Sequence, residues 1–134
     1  MPLYTVTTKH SLSEPVQQEI VNHITDVHCQ LTGAPEIFVQ VMFSYGVGLG
    51  KNTDAHFSGG IRSGRSGELK TQLAEQMTSG IARVLGSDKK RIQVVLMDVP
   101  AKWALEGGDI MPEPGEEEQW LKDRNLETVP LAVN

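Results

Sequence analysis

Apolar and β-forming residues fill positions 2–8 (PLYTVTT), which predicts a β-strand at the very start of the chain with Pro2, Tyr4 and Val6 on one face. Ser11, Ser13, Glu14 and Pro15 then form a helix-start signal. Val16, Ile20, Ile24, Val27 and Leu31 recur at helical spacing until Gly33, which predicts one amphipathic helix. The apolar run 37–45 (IFVQVMFSY) reads as a strand covered on both faces. These three elements make a β-α-β unit.

A Gly-rich connection runs from Gly46 to about His56, and the plan then recurs. Residues 56–61 (HFSGGI) read as a short strand. Leu69, Leu73, Met77, Ile81 and Val84 predict a helix from Ser66 to Leu85, stopped by Gly86, and 91–99 (RIQVVLMDV) predict a buried strand ended by Pro100. The expectation is one α/β (α+β) domain over 1–134, with pseudo-repeat units at about 2–45 and 56–99 and a tail over 100–134. Right-handed crossovers would place both helices on one face of a single four-stranded sheet. The other face would lie bare, and no further long helical pattern exists to cover it, so a homo-oligomer is expected. In the tail, Glu116 to Arg124 runs from acidic to basic, as suits a helix dipole, and its acidic start reads as a solvated helix end.

Composition narrows the class. With 39% hydrophobic and 22% charged residues the chain falls in the ordinary water-soluble globular range. A net charge of -5 argues against a nucleic-acid partner. No apolar run is long enough to span a bilayer, the opening lacks a signal region, and the single cysteine, Cys29, cannot form an internal disulfide, so a reducing cytoplasm is the expected setting. Cys29 reads as a packed residue without a catalytic role.

Several candidate chemistries weaken on inspection. Gly46, Gly48 and Gly50 with Lys51 suggest a nucleotide loop, but Tyr45 stands where the P-loop needs glycine and Lys51 where the dinucleotide fingerprint needs its third. The histidines His10, His23, His28 and His56 offer no metal pair at i,i+4, so neither metal nor cofactor is expected. His28, four residues after Ile24, lies on or beside the buried helix face. Arg62 and Arg65 flank a strand-to-helix junction rich in glycine, where two guanidinium forks and a helix N-terminus could hold a carboxylate. Pro2 follows the initiator methionine. Removal of Met1 would expose a secondary amine whose reference pKa of about 7.7–8.0 would be lowered by nearby arginines, giving a neutral base at physiological pH.

Together, Pro2-Leu3-Tyr4, the segment Ile24 to His28, the turn Arg62-Ser63-Gly64-Arg65-Ser66, Pro100-Ala101 leading to Glu106, and Pro112-Glu113-Pro114-Gly115 resemble the cis-3-chloroacrylic acid dehalogenase family, a branch of the tautomerase superfamily. The resemblance runs from residue 2 to about residue 120. It implies a tautomerase-like fold, a homotrimer and a small carboxylic-acid substrate, with Pro2 catalytic, Arg62 and Arg65 binding the substrate carboxylate, His28 binding substrate, and Glu106 activating water. Val95 stands where that family's pattern has a tyrosine assisting the glutamate. A valine cannot hydrogen-bond, which favours keto-enol tautomerisation over hydrolytic dehalogenation of a cis-3-haloacrylate or hydration. A trimer that binds acids without turning them over is the third reading.

Overall fold

A computed structural model describes residues 2–125; Met1 and residues 126–134, the end of the expected tail, lie outside the described residues. The two main helices start and stop where their caps stand. Helix α1 (Glu14–Thr32) is preceded by Ser13, whose Oγ accepts from the Val16 N–H, and is ended by Gly33 in the left-handed region at φ 74°. Helix α2 (Gly67–Leu85) repeats the device, with Ser66 accepting from the Leu69 N–H and Gly86 at φ 65°.

The strands are β1 (Leu3–Thr8), β2 (Gln40–Tyr45), β3 (Ala55–Arg62) and β4 (Ile92–Val99), and they form one sheet in the order β2-β1-β3-β4. Each unit contributes a parallel pair, β1 with β2 and β3 with β4. The units join through the antiparallel pairing of β1 with β3. Ile20, Ile24 and Val27 of α1 and Leu73, Met77 and Ile81 of α2 meet Tyr4, Val6, Phe57, Ile61 and Ile92 in one buried cluster. Both helices therefore cover the same sheet face, as right-handed crossovers predict. On the other face Leu3, Met42, Val95 and Met97 are exposed.

Two strands differ from the reading of their apolar runs. Residues 37–45 do not form one strand, because Glu36–Phe38 make a 3-10 turn behind Pro35 and β2 begins only at Gln40. The reason is register: Leu3 pairs with Gln40, and the Gln40 N–H reaches the Pro2 carbonyl at 3.1 Å, so positions 37–39 have no strand beside them. Nor is β2 covered on both faces, since Met42 is open to solvent in a single chain. Similarly Lys89–Arg91 form a 3-10 turn capped by Asp88, which delays β4 to Ile92.

Beyond β4 the chain makes a 3-10 turn at Ala101–Trp103 and then a hairpin of β5 (Leu105–Glu106) and β6 (Asp109–Ile110). Gly107 and Gly108, at φ 61° and 88°, supply the two positive dihedrals that such a two-residue turn requires. The short helix α3 (Glu117–Asp123) follows. Phe38, Met111 and Leu121 pack there with Ala104 and Trp120 in a second, smaller cluster. No helix among the described residues is long and apolar enough to cross a membrane.

Candidate functional site

Arg62 ends β3, opposite Val99 of β4. Leu3, the first residue of β1, pairs with Gly60, so Pro2 lies beside the end of β3 that carries Arg62. Pro2 is buried, and its carbonyl is tied to β2 through Gln40. Three sequence candidates thus fall at one end of the sheet, because the register brings the start of β1 to the finish of β3 and Arg65 follows three residues later.

The two arginines differ in what they hold. The Arg62 side chain is only 2% exposed. Its Nη1 donates to the Pro112 carbonyl and its Nη2 to Oε1 of Glu117. The second oxygen of Glu117 accepts from the Gly115 N–H at 2.8 Å, so this carboxylate is bonded at both ends. Burial pushes the Glu117 carboxyl up, but the bond and charge of Arg62 together with backbone N–H bonds, that of Gly115 among them, outweigh it and hold the group below its usual range. Arg65 lies beyond Gly64, whose φ of 97° turns the chain toward α2. Its Nε is buried without a hydrogen-bond partner among the described residues, and burial together with Arg62 pushes its pKa down. Arg62 is already engaged by the protein, whereas Arg65 retains a donor for something else.

His28, on the buried face of α1, is 1% exposed. Its Nδ1 lies 2.7 Å from the Tyr4 hydroxyl, while Nε2 has no partner among the described residues. Burial, then Arg65, then Arg62 hold its pKa down to about 3, so the ring is neutral across the physiological range. Burial likewise pushes the Tyr4 phenol far above its usual value. Cys29 is buried next to His28 in sequence, and burial, Glu36 and Asp26 push its thiol up to about 11, which leaves it a poor nucleophile.

The remaining candidates lie on other elements. Glu106 lies on the β5-β6 hairpin, half-buried, in register with Asp109. The chain leaving that hairpin reaches Pro112, where Arg62 grips it. Val95 is 46% exposed on the bare sheet face and pairs with Ser58. Four residues separate it from Val99, roughly 13 Å at about 3.3 Å per residue, so it does not join the cluster of its own chain.

Two residues that the sequence reading passed over belong to this site. Glu117 was expected at a solvated helix end; it instead neutralises a buried arginine, and no local pattern announces a partner 55 residues away. Tyr4 shared a strand face with Pro2 in the sequence pattern, which was the available signal, but its bond to His28 depends on how α1 crosses β1. Among the described residues, no group of three or more His, Cys, Asp or Glu side chains is placed to hold a metal.

Comparison with known proteins bears on the arrangement. A family profile described as Tautomerase enzyme matches residues 60–110, the stretch from the end of β3 through the hairpin. The chain is similar to N1, described as a member of the cis-3-chloroacrylic acid dehalogenase family, at 28% identity over 90% of each chain with a TM-score of 0.82. It is also similar to native Ps01740, at 32% identity over 78% of this chain and 99% of that one with a TM-score of 0.71. A fused 4-OT, whose structure is of an asymmetric trimer, shares the fold at 21% identity, 81% and 94% coverage and a TM-score of 0.73. No curated protein sequence matches the chain.

Proposed function

Because the chain belongs to the tautomerase superfamily and is similar to its cis-3-chloroacrylic acid dehalogenase family, we propose that it is an enzyme acting on small 2-oxo or unsaturated carboxylic acids, with keto-enol tautomerisation by Pro2 as its main reaction. One observation carries this reading above the others: two buried nitrogens, Arg65 Nε and His28 Nε2, lack partners among the described residues at the end of the sheet where Pro2 sits. Such groups cost free energy unless an acceptor arrives, and a carboxylate or oxo oxygen is an acceptor.

The mechanism begins once Met1 is removed. Arg65 binds the substrate carboxylate, and the buried Arg62 lends the same region positive charge that its ion pair with Glu117 partly offsets. The neutral Pro2 nitrogen takes the hydroxyl proton of the enol. As the C=C electrons move to protonate carbon from the resulting ammonium, the C–O bond becomes a carbonyl, so no proton or electron is left over. Positive charge from Arg65 favours both the neutral amine and the enolate that forms. Cytoplasmic residence and a homotrimer complete the proposal. The apolar residues Leu3, Met42, Val95 and Met97 on the bare sheet face support assembly.

The test is ketonisation of an aryl enolpyruvate followed by ultraviolet absorbance, on protein whose amino terminus is confirmed by intact mass. Pro2→Ala is expected to lower kcat by about 10²-fold or more, the scale of a lost general base. Arg65→Ala is expected to raise KM more than Arg62→Lys does, because Arg62 is already held by Glu117. Equal rates in all the proteins would refute the reading.

A second reading draws on the similarity to the dehalogenase family and on Glu106. There Glu106 takes a proton from water, oxygen attacks the β-carbon of a 3-haloacrylate or an acetylenic acid, and a cationic Pro2 protonates the α-carbon; the halohydrin formed from a haloacrylate then expels halide as its hydroxyl loses a proton, leaving an aldehyde. The two reactions need opposite charge states of Pro2, so titration of its nitrogen separates them. Halide release that improves in Val95→Tyr would favour the second. Ligand binding with no Pro2-dependent turnover would favour a binding protein.

A further inference from the structure

The Tyr4 hydroxyl and the His28 imidazole meet where solvent does not reach, at 0% and 1% exposure and 2.7 Å apart. Two arrangements of the protons satisfy that distance. If Nδ1–H donates to the phenol oxygen, the Tyr4 hydroxyl proton and the Nε2 lone pair are both left unpaired. If the hydroxyl donates to Nδ1, a single group is left over, an Nε2–H. Leaving two buried polar groups unpaired costs more than leaving one, so the second arrangement wins.

The fold invests in this contact. The Tyr4 ring stacks on Phe57 with centroids 5.4 Å apart at 16° and meets the His28 ring edge-on at 68°. The ring occupies space that only glycine leaves open, since a Cβ at Gly59 would lie 2.6 Å from two of its carbons. Burial first, then the charges of Arg65 and Arg62, keep the imidazole neutral, which excludes the doubly protonated ring.

We propose that Tyr4 is a positioning residue that fixes His28 as the Nε2–H tautomer, so that the ring offers a hydrogen-bond donor, not a base or a cation, to an oxygen of the bound acid. Nε2–H and Arg65 Nε–H are then two buried donors with no acceptor in the described chain, and together they select a ligand that presents oxygen lone pairs. A cationic or purely apolar ligand leaves both unpaired. The substrate half of this statement rests on the function proposed above; the tautomer does not.

The experiment is nitrogen-15 NMR of histidine-labelled protein without ligand, with the His28 signals identified through His28→Gln. The expected spectrum has Nε2 protonated and Nδ1 bare. An Nδ1–H signal at His28 would overturn the proposal whether or not any variant folds. Tyr4→Phe is expected to yield a mixed tautomer at His28 and to lower kcat/KM by about tenfold, the scale of one hydrogen bond; an unchanged His28 signature in that variant would overturn the positioning role. Titration with pyruvate is expected to move the Nε2–H signal, and an unmoved signal at saturation would overturn the donor role. An Nε2–H tautomer in a protein that turns over no acid would count against the reaction and leave the Tyr4 assignment standing.

Discussion

Acid should destabilise this protein well above the pH at which carboxylates titrate, and His28 is the reason. Its pKa is held at about 3 in the fold against 6.5 for a free histidine. A depressed histidine favours folding fully above 6.5, because there neither state is protonated. As pH falls below 6.5 the unfolded chain takes a proton that the folded chain refuses, and stability drops until the folded group also titrates near 3. Between pH 7 and pH 5 the loss comes to about 2 kcal/mol, at about 1.4 kcal/mol per unit once the unfolded histidine is mostly charged. The ceiling over the whole window is about 5 kcal/mol. Urea unfolding at fixed protomer concentration, at pH 7, 6 and 5, measures this, with His28→Gln as the reference that cannot titrate. The variant is expected to be less stable at pH 7, but its decline toward pH 5 should be shallower by about 2 kcal/mol. Parallel declines in the two proteins would refute the reasoning, because they would mean that the folded His28 accepts a proton as readily as an unfolded one.

Glu117→Gln leaves one acceptor for two donors, Arg62 Nη2 and the Gly115 N–H, so a loss of about 1.5–3 kcal/mol in urea unfolding is expected at pH 7. Because the Glu117 pKa is depressed, its contribution is present above the usual carboxylate range and fades below it, and the variant's stability curve should be flatter under pH 4. Gly80→Ala would place a Cβ 1.9 Å from the His23 Nε2, forcing that ring off the Gln76 carbonyl it bonds at 2.8 Å. Losing that bond costs about 1 kcal/mol, and alanine in place of a glycine inside a helix returns about as much, so Tm is expected to change by no more than a few degrees; a large drop would show that the ring cannot swing aside. Met97, 56% exposed on the edge strand β4 of the bare sheet face, offers a test of assembly: Met97→Glu should convert an oligomer to monomer in sedimentation, and an unchanged mass would place the interface elsewhere.

The sheet and helices were legible in the chain because their signals are local. Ser13 with Gly33 and Ser66 with Gly86 bound the two helices, and the apolar stripes between those caps are the residues now found in the shared core. The pair Arg62 and Arg65 was visible for the same reason, as charge at a glycine-rich strand-to-helix junction. Strand limits were less secure, since an apolar run becomes a strand only where another strand lies beside it. Residues 37–39 have the composition but lack the neighbour, which follows from where β1 begins.

The arginines themselves look alike in sequence, and only the packed structure separates them. One is closed off by Glu117 and Pro112, partners 55 and 50 residues away, and the other keeps a buried donor unspent. His28 was recognisable as a residue near the core, but not as a neutral ring with one nitrogen tied to Tyr4. That state needs burial, two nearby positive charges and the space above Gly59 at once. Periodicity and capping act over a few residues, so a single sequence carries them. Charge neutralisation, tautomer and the face on which Val95 stands are set by groups far apart in the chain, and they exist only once the register of β1 against β3 has brought those groups together.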